Sequence, residues 1–150
     1  MTDTFKKIGA SDTPMYGPPG VLVCGYPAGE QQAVIDLFEA EGLTRFPLIF
    51  VAAEEEPRSL GDLLSLKHLT GLGQPAGSRK ALILSGFTEN ELRRLLAAFR
   101  TQGVSRPLLA TLTPTSETWT VRFLLEELAR EAAAMEKMRR NPGHPSGTRT

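Results

Sequence analysis

The second half of the chain resembles the first half at a constant spacing. Residues 21–64 align without a gap with residues 82–125, each lying 61 positions further on, and nine of these positions are identical. The identical pairs are Gly25/Gly86, Glu30/Glu91, Phe38/Phe99, Gly42/Gly103, Arg45/Arg106, Leu48/Leu109, Glu56/Glu117, Leu63/Leu124 and Leu64/Leu125. Most other apolar positions match in kind. Since similar segments fold into similar supersecondary units, this pattern predicts a tandem repeat.

Each half shows the order strand, helix, strand, helix. Short apolar runs at residues 21–24 and 81–85 are each followed by a glycine, which is typical of buried strands. Second apolar runs follow at 47–51 and 107–112, with a proline at the entrance. The sequence therefore predicts an α/β fold with (βαβα) twice, a four-stranded, largely parallel or mixed sheet, and helices packed against it.

The helices of the second half have the clearest signals. Thr88 and Glu91 form a capping-box pattern, and the apolar residues that follow fall on one helical face. A further apolar stripe begins at Val121 and predicts a long helix that ends before Asn141-Pro142-Gly143.

These patterns divide the chain into five segments. Residues 1–20 read as a flexible N-terminal arm, 21–66 as the first βαβα repeat and 67–80 as a linker. Residues 81–140 form the second repeat with its extended C-terminal helix, and 141–150 read as a disordered tail.

Composition excludes several classes of function. Seventeen basic and seventeen acidic residues balance, so we expect no nucleic-acid partner. No apolar run approaches the roughly 20 residues that span a membrane, and the N-terminus lacks a secretory signal pattern. A single cysteine, Cys24, fits a reducing compartment. We therefore expect a soluble cytoplasmic protein.

The loop from Thr113 to Trp119 is the most promising place for a ligand. Ligands of open α/β sheets bind beyond the carboxyl ends of strands, and we expect Gly25, Gly86 and this loop to share that edge. Hydroxyl groups and an indole ring could contact a ligand there, and neighbouring helix N-termini would favour an anion. The alternative is that the hydroxyls cap the last helix and Trp119 covers the core. The predicted ligand contacts are Thr113, Thr115, Ser116, Trp119, Gly86 and Phe87.

Other candidates for chemistry are weaker. Cys24 lies in a buried apolar run, where a small hydrophobic role is favoured over a nucleophile with His68 as its base. The sequence shows no phosphate-binding motif and no metal-ligand spacing, so no catalytic residue, metal or cofactor is predicted. Arg45 either pairs with Glu30 or Glu91 or points to solvent.

The second repeat resembles a bacterial family called domain of unknown function 3783. The residues that carry the resemblance lie at 81–87, 91–92, 103–104, 112–115, 119–120 and 124–128, within roughly residues 81–135. The first repeat is a divergent copy, because residues 53–58 differ from residues 114–119. The resemblance implies a small bacterial α/β domain without an established activity.

Two functions remain open. The first is a non-catalytic binding or regulatory module, whose C-terminal helix would contact a second copy or another protein. The alternative is a small-ligand (anion) binding protein or minor enzyme with its site at the Thr113–Trp119 loop.

Overall fold

The computed structural model describes residues 12–102 and 106–140. Eight regular elements follow in the order β1 (Gly20–Cys24), α1 (Ala28–Ala40), β2 (Leu48–Val51), α2 (Leu60–Leu64), β3 (Ala81–Ser85), α3 (Glu89–Thr101), β4 (Leu108–Thr111) and α4 (Val121–Arg140). Short 3-10 helices lie at Ala53–Glu55 and Ser116–Thr118. The predicted α/β class is confirmed, while the tandem repeat stays a prediction. Gly103 of the identical pair Gly42/Gly103, the first 11 residues of the predicted arm and the tail predicted to be disordered lie outside the described residues.

The four strands form one mixed sheet in the order β2-β1-β3-β4. Strands β1 and β2 are parallel, as are β3 and β4, whereas the central pair β1 and β3 is antiparallel. In that central pair Leu22 lies opposite Ile83, which is 61 positions further along the chain. The two halves of the molecule are therefore joined by the edges of their first strands.

Helices cover both faces of the sheet. Side chains alternate along each strand, so Val21 and Val23 face one core cluster with α1 and α3. Leu22 and Cys24 face a second cluster with α2 and α4. Burial on both faces explains why the central strands consist of continuous apolar runs rather than alternating polar and apolar residues.

Backbone bonds also join the two halves outside the sheet. The N–H of Leu60 donates to the carbonyl of Trp119 over 2.9 Å, and the N–H of Val121 donates to the carbonyl of Arg58 over 3.0 Å. These bonds place the starts of α2 and α4 side by side. The Thr113–Trp119 loop is therefore held between the sheet and the first half of the chain.

The segment between the halves covers the outer edge of β2. The N–H of Leu69 donates to the carbonyl of Leu48 over 2.7 Å, and the N–H of Phe50 donates to the carbonyl of Thr70 over 2.8 Å. His68 Nδ1 accepts the N–H of Leu48 over 3.0 Å. Residues 67–80, assigned from the sequence to a linker, thus satisfy the free backbone groups of an outer strand.

The described part of the N-terminal arm lies against the loop after β3. The N–H of Met15 donates to the carbonyl of Phe87 over 2.8 Å, and the N–H of Gly86 donates to the carbonyl of Tyr16 over 3.1 Å. The hydroxyl of Tyr16 donates to Glu117 over 2.5 Å. Met15 and Tyr16 of the arm therefore pair with residues 86–87, while its flexibility stays a prediction.

A charged pair fixes α3 to the first half of the chain. Two nitrogens of Arg45 donate to the two carboxylate oxygens of Glu91 over 2.7 and 2.8 Å. Glu91 also accepts the N–H of Thr88, which completes the predicted capping box. The hydrogen bond from Arg45 lowers the pKa of Glu91 below its ordinary value. Of the alternatives left open for Arg45, the structure shows the pair with Glu91.

We expect Glu91→Gln to lower the free energy of unfolding at pH 7 by about 0.5–1 kcal/mol, since Gln keeps the capping bond but loses the charge. A carboxylate with a lowered pKa stabilises the folded state above its unfolded pKa, and this contribution is lost as the pH falls through the folded pKa. The difference between variant and wild type should therefore shrink below about pH 4.5. Urea unfolding of both proteins across pH 3–7 measures this difference in the free energy of unfolding. The exposed Glu126→Gln serves as the control, and a pH-independent difference would contradict the prediction.

Candidate functional site

A cleft of about 550 Å³ lies along the outer strand β4. The helices α3 and α4, which pack on opposite faces of the sheet, contribute lining residues on either side of this strand. Its lining comprises Leu84, Leu92, Leu96, Arg106, Leu109, Ala110, Thr111, Thr113, Ser116, Trp119, Leu124, Leu128 and Glu131. We call this surface the β4 cleft. Its volume lies within the range of about 300–1,000 Å³ that is typical of ligand sites.

The walls of the β4 cleft are apolar. Leu92 and Leu96 project from α3, and Leu124 and Leu128 project from α4. All four residues of β4 are only partly buried, whereas the residues of the other three strands are fully buried. The hydrophobic layers of the sheet therefore continue past its last strand and reach solvent in the cleft.

Three of the predicted ligand contacts line the cleft: Thr113, Ser116 and Trp119. The Ser116 hydroxyl accepts the N–H of Thr113 over 3.1 Å, and the Thr113 hydroxyl accepts the N–H of Ser116 over 3.0 Å. The two hydroxyl groups also contact each other at 3.2 Å. This reciprocal arrangement starts the 3-10 helix at Ser116–Thr118, so both hydroxyls serve the turn itself.

Trp119 and the residue after it shape the start of α4. The Trp119 ring packs edge-on against Phe123, with 4.8 Å between ring centroids. The hydroxyl that caps α4 belongs to Thr120, which accepts the N–H of Phe123 over 3.0 Å. Thr115 is exposed and does not contribute to the lining of the β4 cleft.

Gly86 and Phe87, the other predicted contacts, lie outside the cleft. The carbonyl of Gly86 accepts a bond from Arg45 over 2.9 Å. The Phe87 ring is completely buried and stacks on Phe46, with 3.9 Å between ring centroids. Phe87 therefore belongs to the core between the two halves.

The expectation that Gly25, Gly86 and the loop share one sheet edge is wrong. Because β1 and β3 are antiparallel, Gly25 and Gly86 follow strands that end at opposite sides of the sheet. Only Gly86 lies at the same side as the Thr113–Trp119 loop, since β3 and β4 are parallel.

Cys24 and His68 both have structural roles. The Cys24 side chain is completely buried, and this burial, together with the charge of Glu56, raises the pKa of its thiol well above the ordinary value. His68 uses Nδ1 to accept the N–H of Leu48. Within residues 12–102 and 106–140, no group of His, Cys, Asp and Glu residues could hold a metal ion.

The rim of the β4 cleft carries one charge of each sign. Arg106 and Glu131 both contribute to its lining, and both are exposed. Arg45, which lies 61 positions before Arg106, binds Glu91, whereas no carboxylate in the described part of the chain pairs with Arg106. Sequence reasoning missed Arg106 as a site residue, although the identical pair Arg45/Arg106 was the available signal.

Comparison with known protein families gives a match in the second half of the chain. The family model described as Domain of unknown function (DUF3783) matches residues 80–135. This confirms the resemblance predicted for residues 81–135, and the matched segment contains every residue that lines the β4 cleft. No curated protein and no solved structure matches the chain. None of the helices in the described ranges is both long enough and apolar enough to cross a membrane.

Proposed function

We propose that the protein is a non-catalytic protein-binding module and that the β4 cleft is its binding surface. The single observation that carries this proposal is the outer strand β4, which lies open at the bottom of an apolar cleft. An exposed strand edge offers unpaired backbone groups, and apolar walls offer contacts for the side chains of an added strand. The single cysteine, buried Cys24, supports a reducing cytoplasmic location.

The state of the reactive groups supports a non-catalytic role. Cys24 is inaccessible, His68 is engaged with the backbone, and the hydroxyls of Thr113 and Ser116 bond to each other's backbone. Catalysis by general acid and base requires groups within reach of a substrate. The β4 cleft instead offers leucine side chains and backbone, which suit recognition of another polypeptide.

Peptide binding to variants of the cleft tests this proposal. Extended peptides selected from a display library on the immobilised protein should bind the wild type. We expect Leu96→Lys and Leu128→Lys each to weaken that binding at least about tenfold, because a charge would be placed in an apolar wall. Fluorescence anisotropy with labelled peptides measures the affinity.

Leu72→Lys is the matched control, since Leu72 is 41% exposed and does not contribute to the cleft lining. It should leave the affinity unchanged. Equal binding of the selected peptides to all three variants would show that the β4 cleft is not the binding surface.

A small anionic ligand is the second candidate for the same cleft. The observation that favours it is Arg106, a guanidinium without a carboxylate partner in the described residues, on the lining of a cleft that also contains Thr113 and Ser116. A ligand that binds the folded state raises the melting temperature. A shift with phosphate, simple carboxylates or nucleotides that disappears in Arg106→Gln would favour this function over peptide binding.

A further inference from the structure

Strand β4 presents a short stretch of backbone that is free to pair. The N–H groups of Leu108 and Leu112 donate to Lys80 and Leu84, towards β3. Since successive backbone groups alternate in direction, the N–H and carbonyl groups of Leu109 and Thr111 face outward. In the described residues only β3 pairs with β4.

This free stretch has defined ends. On one side Pro107 has no N–H to donate. On the other side the N–H of Thr113 already donates to the Ser116 hydroxyl. An added strand can therefore exchange backbone bonds with Leu109 and Thr111 alone, which limits the registers that it can adopt.

The two outer strands of the sheet differ in whether another segment of the chain covers their outer edge. In the first half, the chain leaves α2 at Leu64, and residues 68–70 then cover β2. The positions 61 residues further on, 129–131, are still part of α4. At these positions α4 continues, whereas the corresponding residues of the first half return to the sheet edge. In the described chain, therefore, no segment covers the outer edge of β4.

The far end of α4 carries apolar side chains that the core does not reach. Val121, Leu124 and Leu125 are buried, whereas Met135 and Met138 are 67% and 72% exposed. A short peptide in the β4 cleft could cover the strand edge and the leucines beside it. A second α4 lying alongside would also cover Met135, which is on the same stripe as Leu124 and Leu128.

We propose that the occupant of the β4 cleft is a second copy of this chain, paired antiparallel through β4. The inference rests on the proposed function and names its partner. A twofold axis at Ala110 would place Leu109 opposite Thr111 of the second copy, and the two pairs would exchange four backbone bonds. The same operation sets α3 beside α3 and α4 beside α4, because a twofold interface uses one surface twice.

The molecule already contains a junction of this type. Its central strands β1 and β3 pair antiparallel, with Leu22 opposite Ile83 and helices on both faces. A formal net charge of zero leaves no overall repulsion between copies. Registers centred at Leu109 or Thr111 would need the missing N–H of Pro107 or the engaged N–H of Thr113, which leaves Ala110 as the centre.

Disulfide trapping tests the proposed axis. In a non-hydrogen-bonded antiparallel pair the Cα atoms lie about 4.5 Å apart, within the range that a disulfide spans. Oxidised Ala110→Cys should therefore form a covalent dimer, while the buried Cys24 stays unreacted. In Arg106→Cys, the control, the two sulfurs would be separated by roughly 26 Å at 3.3 Å per residue, and no dimer should form. Equal cross-linking of both variants would overturn the axis.

Sedimentation equilibrium tests the association without a cross-link. The wild type should form dimers, and Met135→Lys should raise the dissociation constant at least about tenfold. Ala133→Lys adds the same charge to an exposed position on the opposite face of α4 and should leave the dimer intact. Both positions are exposed, so both variants should fold.

The outcomes separate this inference from the proposed function. A wild type that stays monomeric up to about 100 μM, together with no cross-link in Ala110→Cys, overturns the second copy as occupant. If peptides still bind the β4 cleft in that case, the proposed function stands. If this monomeric protein, whose cleft no second copy fills, also selects no peptide, both the inference and the proposed function are wrong. Cross-linking at Ala110 with dimer loss only in Met135→Lys supports both.

Discussion

Replacing Phe87 by alanine should lower the free energy of unfolding by about 3–5 kcal/mol. The ring is completely buried in the cluster that joins α1, α3 and the sheet, so its removal leaves a cavity among side chains from both halves. The stack on Phe46 is also lost, and such pairs contribute about 0.5–1.5 kcal/mol beyond the buried area. Urea unfolding followed by circular dichroism gives the midpoint and slope.

Phe123→Ala is the matched control for this prediction. Phe123 is 42% exposed and touches Trp119 at the protein surface, so its loss should cost about 1 kcal/mol or less. If Phe87→Ala were as mild as Phe123→Ala, Phe87 would not be a core residue. That result would favour the role that the sequence predicted for Phe87, a contact to a ligand.

Gly25→Ala should destabilise the fold by about 3 kcal/mol or more, through a clash between backbone segments. An added Cβ would lie 2.0 Å from the carbonyl oxygen of Arg79 and 2.6 Å from the nitrogen of Lys80. The φ angle of +77° adds the strain of the left-handed region, which costs roughly 1–2 kcal/mol for a residue with a Cβ. Since both neighbouring atoms belong to the backbone at the entrance of β3, side-chain motion cannot relieve the clash.

Gly29→Ala is the control, and we expect it to change the free energy of unfolding in the opposite direction. Gly29 lies in the first turn of α1, and an added Cβ there meets no atom within 4 Å. Alanine favours the helix over glycine, so the variant should gain up to about 1 kcal/mol. The same unfolding measurement compares the two variants, and a loss below about 1 kcal/mol in Gly25→Ala would contradict the close approach of residues 79–80.

Local patterns predicted the regular elements well. Thr88 and Glu91 form the capping box that their spacing indicated, and α4 begins at Val121, where the predicted apolar stripe begins. Each of these features depends on residues within a few positions of one another, which is why the sequence alone contains them. The second helix of the first half, α2, has only five residues and was the least defined by its sequence pattern.

Long-range backbone pairing was not predictable in the same way. The bonds that join Leu69 and Thr70 to β2, and Met15 and Tyr16 to residues 86–87, use backbone atoms that all residue types except proline carry in full. The β4 cleft was also not predictable, because it combines residues of α3, β4 and α4 that only the fold brings together. Residue types in the Thr113–Trp119 loop indicated three residues that line the β4 cleft, and the fold adds Arg106 and the leucine walls.

The covered edge of β2 limits how many copies an assembly can contain. Two chains joined through β4 would form one sheet of eight strands whose ends are both β2. Residues 68–70 of each chain already occupy the outward backbone groups at those ends. Growth strand by strand into a fibre then has no free edge on which to continue. In such an assembly the edge of β4 mediates association, and the assembly ends at the dimer.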